Sequence, residues 1–139
     1  TTHQSGALIM RGKNNRPFIG QSAKAKSVAN DLHKLLLPHK PTAPLTKPIK
    51  VCISWQFPFR KSEPKKNRAL GKIPCSVRPD LDNLAKLMLD ALGKVGFYKD
   101  DALVYDLHIS KCFSYDSGYQ ISLTEIDWGG DGAIALFPK

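Results

Sequence analysis

Arg78-Pro-Asp-Leu-Asp-Asn-Leu-Ala-Lys-Leu-Met-Leu-Asp-Ala-Leu-Gly-Lys-Val95 is the stretch whose reading decides the fold. Leu81, Leu84, Met88, Leu92 and Val95 share one face at about 100° per residue, so Leu81 to Val95 reads as an amphipathic helix with an apolar stripe. Gly93 or Gly96 ends it. Asp82, Lys86 and Asp90 follow one another at i, i+4 and i+8 on the flank opposite that stripe. Pro79 disfavours helix at Arg78, which places the helix start just beyond it. The expected N-cap is Asp82, with Asp80 still extended.

Strands and a second helix lie on either side of this helix. Upstream, Ile49 to Phe57 alternates apolar and polar residues and reads as a half-buried strand. A proline-rich connector, Pro38 to Pro48, precedes it. Before that, Ala25, Val28, Ala29, Leu32, Leu35 and Leu36 predict a helix over Ser22 to Leu37, stopped by Pro38. Ala7 to Met10 opens a first strand, broken by Asn14-Asn15-Arg16-Pro17. Downstream, Ala102 to Phe113 and Tyr119 to Ile126 read as strands joined by a hairpin turn at Ser114 to Gly118. Trp128 to Lys139 is a glycine-rich tail. The order β-α-β-α-β-β predicts an α+β domain: a small mixed or antiparallel sheet with helices packed on it. At 139 residues the chain is long enough for one such domain, residues 1–139, without disulfides.

Charge narrows the partner. With 21 Lys and Arg against 12 Asp and Glu the net charge is +9, which favours a phosphate backbone as ligand. Seven of those cations, Arg60, Lys61, Lys65, Lys66, Arg68, Lys72 and Arg78, fall in a basic loop over residues 58–79 that runs straight into the carboxylates. A merely solvated loop is the plainer alternative; that adjacency favours a grip on phosphates. Cys52, Cys75 and Cys112 are odd in number and lack any C-x-x-C pairing, which argues against a disulfide framework and a zinc site and fits a reducing cytoplasm. No apolar run approaches membrane length.

Carboxylates concentrated in so basic a chain suggest a site for divalent cations. Magnesium takes hard oxygen ligands and keeps several waters, so one to three carboxylates per ion is the expected protein share. Two residues at i and i+2 inside a helix point about 200° apart. Asp80 and Asp82 therefore converge only if one of them lies outside the helix. Asp101, entering the next strand, can close the site from across. Lys86, one turn beyond Asp82, is a cation suited to charge that builds on a phosphate in the transition state. The plainer readings are helix caps for the aspartates and a surface i,i+4 pair for the lysine, worth only about 0.2–0.5 kcal/mol.

Arg78-Pro-Asp-Leu-Asp-Asn-Leu-Ala-Lys86, then Asp90-Ala91-Leu92, then Phe97-Tyr98-Lys99-Asp100-Asp101-Ala102-Leu103-Val104 resembles the RusA family of Holliday junction resolvases. The family pattern is a D-L-D-N-L-x-K segment, a D-A-L, and an aromatic residue shortly before D-D-x-x-V. The resemblance implies a homodimeric, magnesium-dependent endonuclease, with manganese able to substitute, that nicks two symmetry-related strands of four-way or other branched DNA. It implies no small-molecule cofactor and no membrane. Residue by residue, Asp80, Asp82 and Asp101 match the catalytic aspartates, Lys86 the catalytic lysine, and Asp100 a supporting acid among the metal ligands. Asp90 matches a recurrent position read as structural support. Arg60, Lys61, Lys65, Lys66, Arg68 and Arg78 are expected to grip flanking DNA, with Asn14, Asn15 and Arg16 adding to that face. The long basic loop and the tail over residues 128–139 depart from the family pattern. A nuclease for flaps or forks, and an inactive DNA-binding module of the same fold, are the rival readings.

Overall fold

Ile49–Pro58, here β2, organises the molecule because its alternation is complete: Ile49, Val51, Ile53, Trp55 and Phe57 are all buried, and the residues between them are half-buried. A strand with so apolar a face belongs at the centre of a sheet. In the computed structural model, which describes residues 3–12 and 22–127, it has a neighbour on each side. The other strands are β1 (His3–Gly12), β3 (Lys72–Pro74), β4 (Val104–Ser114) and β5 (Gly118–Asp127). Their order is β1-β5-β2-β4-β3. β4 runs parallel to β2, with Ile53 opposite Ile109 and Phe57 opposite Phe113, and β5 runs antiparallel, with Val51 opposite Leu123. The sheet is thus mixed, within the predicted α+β architecture.

This order corrects the hairpin expected at Ser114 to Gly118. β4 and β5 do not pair with each other; they flank β2, and the short link crosses over its end. Alternation in each strand is the same whichever neighbour it takes, so the pattern alone cannot distinguish a hairpin from two strands split around a third. The first strand is longer than Ala7 to Met10 and lies at the sheet edge against β5. Asn14, Asn15 and Arg16, and the tail over residues 128–139, lie outside the described residues.

Helices α1 (Ser22–Leu36) and α3 (Leu81–Val95) pack on each other and on the sheet. Val28, Leu32 and Leu36 of α1 meet Leu84, Met88, Ala91, Leu92 and Val95 of α3 in one core with Trp55, Ile121 and Leu123. α1 stops one residue earlier than expected, and Pro38 sits inside a single 3-10 turn, Leu37–His39. Leu81 also departs from expectation: at the first position of α3 it is 37% exposed, and Ala91 completes the buried stripe instead. Gly96 resolves the choice of terminator, taking a left-handed φ of 106° at the C-cap while its N–H donates to Leu92 O at 3.2 Å. No helix of the described residues is long and apolar enough to cross a membrane.

Candidate functional site

The carboxylates of interest sit where α3 begins. Its N-cap is Asp80, not Asp82: the backbone at Asp80 is extended (φ −73°, ψ 149°), and its carbonyl already accepts from Leu84 N at 3.1 Å. Pro79 restricts only the residue before it, so the helix starts at Leu81 as its periodicity predicts, with the cap two residues earlier than expected. The change from extended to helical backbone still falls between the two aspartates, as their convergence requires. Asp80 does not use its side chain as a cap, and Asp82 is exposed in the first turn. Neither carboxylate has a hydrogen-bond or ion-pair partner among the described residues. The N-terminal end of the helix dipole favours both as anions. The plain capping role is thus unfilled, and both groups stay open to an external cation.

Lys86 stands one turn on, exposed and without an ion pair to Asp82 or Asp90. The surface-pair reading of this lysine is therefore not realised. Asp90 lies eight residues past Asp82, about 12 Å further along the axis.

The acidic pair after α3 divides in two. Asp100 Oδ1 accepts from Ala102 N at 2.8 Å and so caps a 3-10 turn, Asp101–Leu103. The following strand consequently begins at Val104 rather than Ala102, and Asp101 belongs to the turn before it. Asp101 has no such bond and lines an open pocket of about 300 Å³ with Leu89, Asp90, Gly93, Lys94, Tyr98, Lys99 and Asp100. The structure thus brings Asp101 beside Asp90, the aspartate read as support. Neither Asp80 nor Asp82 lines that pocket, and no three acidic, His or Cys side chains among the described residues are grouped closely enough to hold an ion.

Tyr98 explains why the turn lies there. It is buried, its hydroxyl donates to Leu89 O at 2.6 Å, and its ring lies against Gly93. The proline-rich connector closes over the same place: Leu45 bridges to Tyr98, and its N–H donates to Phe97 O at 2.8 Å. Burial raises the tyrosine pKa well above its ordinary value of 10, and the negative charges of Asp101 and Asp90 raise it further.

The basic loop has internal structure that its composition hid. It contains one helical turn, α2 (Lys65–Arg68), and the short strand β3, which pairs with the end of β4. Glu63, the lone acid there, is buried. Its Oε2 accepts from Asn67 Nδ2 at 3.2 Å and its Oε1 lies 3.6 Å from Arg60 Nη2. Arg68 donates to the carbonyls of Glu63 (3.1 Å), Arg60 (2.8 Å) and Lys61 (3.3 Å). Arg60 also stacks over Phe113 at 4.9 Å, and Arg68 over Phe59 at 5.9 Å. Both arginines therefore use their guanidinium groups to hold the loop, Arg68 half-buried and Arg60 exposed; Lys61, Lys65, Lys66 and Arg78 are exposed as well. The carbonyl anchors of Arg68 left no trace in residue spacing.

Two carboxylates with hard oxygen donors meet the usual protein share for magnesium, so Asp80 and Asp82 fit such an ion by their chemistry. A family model described as Endodeoxyribonuclease RusA matches residues 10–124. The chain is 29% identical over 119 residues to Uncharacterized protein YqaN of Bacillus subtilis (strain 168), covering 82% of this chain and 83% of that one. It is 28% identical over 119 residues to the Crossover junction endodeoxyribonuclease RusA of Escherichia coli (strain K12) and to that of Enterobacteria phage 82, covering 86% of this chain and 85% of each relative.

Proposed function

Because this chain belongs to the endodeoxyribonuclease RusA family, we propose that it resolves four-way DNA junctions by magnesium-dependent nicking of two symmetry-related strands. One observation carries the reading: among the described residues Asp80 and Asp82 stand unpartnered at the start of α3, with Lys86 one turn on and likewise unpaired, at the end of a basic segment. Asp80 and Asp82 hold the ion. Asp101, the third carboxylate that the family pattern implies, lies in the turn before β4, in the pocket with Asp90 in this structure, and is not grouped with them. Asp100 supports that turn through its bond to Ala102 N. Bound there, magnesium supplies a water of lowered pKa and offsets charge on the departing oxygen. Lys86 balances the charge that accumulates on the phosphate. Manganese, of similar ligand preference, substitutes.

Lys61, Lys65, Lys66 and Arg78 contact the flanking backbone, and Asn14, Asn15 and Arg16, outside the described residues, add further DNA contacts. Arg60 and Arg68 act chiefly by shaping the loop that presents those lysines. A two-fold pair of chains presents two such sites to the two equivalent strands of a junction. The deciding experiment offers intact junction, flap and linear duplex with and without Mg²⁺. Paired, symmetric nicks in the junction alone are expected. Preferred cutting of flaps would make it a broader branched-DNA nuclease, and binding without any cutting an inactive module.

The loop has its own test. Converting Lys65 and Lys66 together to Ala removes two phosphate contacts, so the slope of log affinity against log salt should shrink by about 2. Binding titrations at several salt concentrations measure it. An unchanged slope assigns both lysines to solvated surface.

A further inference from the structure

We propose that Lys111 is a positioning residue for Asp80, an inference that rests on the nuclease reading above. Lys111 lies on β4, opposite Trp55 of β2, and is half-buried. Its Nζ donates to two carbonyls of the segment that links β3 to α3: Val77 O, and Pro79 O at 2.8 Å. The second belongs to the residue immediately before Asp80. The same strand position also holds the start of that segment, since Cys75 N donates to Lys111 O at 3.4 Å. Cys75 Sγ lies 3.7 Å from Val77 O, a weak contact beside the ammonium.

Beyond Cys75, little else among the described residues holds the segment. Ser76, Val77, Arg78 and Asp80 are exposed, and the next backbone tie is the first bond of the helix, from Leu84 N to Asp80 O at 3.1 Å. Asp80 is therefore fixed on one side by the helix and on the other by one ammonium group. Hydrogen bonds from a charged donor are roughly twice as strong as neutral ones, and an ammonium has three donors to share between diverging carbonyls. A lysine here is thus more than a surface cation: it connects the sheet to the carboxylate that α3 presents. Its effect on the reaction passes through Asp80, and it touches no reacting group.

The test uses the full chain with Lys111→Met, which keeps the apolar stem and removes every donor, and Lys111→Arg, which keeps charge and donors. Lys111→Met should cut junction at saturating DNA ten-fold or more slowly than the parent chain. Its junction affinity should stay within two-fold, and half-maximal cleavage should need several-fold more Mg²⁺. Lys111→Arg should recover part of the rate and of the magnesium response. Lys34→Met, on the exposed side of α1, should change none of these. Equal rates for the Lys111→Met and parent chains would overturn the role while leaving the nuclease reading intact. So would a loss of affinity and melting temperature that accounts for the whole fall in rate. A parent chain that cuts no DNA would overturn both.

Discussion

Asp82→Asn should abolish magnesium-dependent nicking while leaving junction binding in place. The substitution keeps the shape of the side chain and its place in the first turn of α3, but removes the anion. Metal assistance supplies several kcal/mol of transition-state stabilisation, so the cleavage rate should fall by about 1000-fold or more. Asp82 is exposed and makes no internal hydrogen bond or ion pair among the described residues. Its loss should therefore leave the melting temperature nearly unchanged. Removing one negative charge from a basic chain should, if anything, tighten DNA binding. Single-turnover cleavage, a binding titration and a thermal melt on one preparation separate these quantities. A variant that cleaves at the parent rate would remove Asp82 from the metal site and shift attention to the pocket that joins Asp90 and Asp101.

Tyr98→Ala should be the most damaging single change to both stability and the turn that carries Asp101. The side chain is buried against Gly93 and anchors to Leu89 O. Truncating a large buried ring leaves a cavity and costs about 3–5 kcal/mol, visible as a large shift in a denaturant midpoint. Tyr98→Phe keeps the ring and loses only the hydrogen bond, leaving Leu89 O to find another donor, so about 1 kcal/mol is expected. If the hydroxyl instead set the position of Asp101, Tyr98→Phe would lose cleavage out of proportion to its stability. Alkaline pH gives a second reading of the same residue. Folding holds the tyrosine proton above the ordinary value of 10, so the folded chain binds more protons than the unfolded one once pH passes that value. The Tyr98 contribution therefore falls as pH rises beyond about 10, and Tyr98→Phe should flatten that part of the stability profile.

Much of the candidate site was legible because its signals are local. The candidate carboxylates stand out by residue type and spacing, and the extended-to-helical switch next to Pro79 follows from backbone sterics. Even the two-residue error in the helix cap came from treating Pro79 as if its restriction reached past Arg78. Asp100 and Asp101 were harder to tell apart. Which of two adjacent acids caps a turn depends on where the chain goes next, and only the bond to Ala102 N distinguishes them. Arg60 and Arg68 look identical to Lys65 and Lys66 when counted as charge, yet Arg68 is tied to three loop carbonyls and Arg60 lies beside buried Glu63 and over Phe113. The guanidinium fork suits several carbonyls at once, whereas the flexible lysine stem leaves its charge in water.

By itself the sequence determined the two long helices and the four long strands, because helical and strand periodicities are properties of consecutive residues. It named the candidate aspartates and Lys86, but the short α2 and β3 it did not show. Tertiary structure alone decided which strands are neighbours, since alternation exposes the same face to any partner. It also decided that Lys111, about thirty residues from Asp80 along the chain, holds the backbone beside that carboxylate. Bonds from a side chain to distant carbonyls depend on where the sheet places them, and carbonyls are common to every residue. No residue type or spacing could have announced that contact.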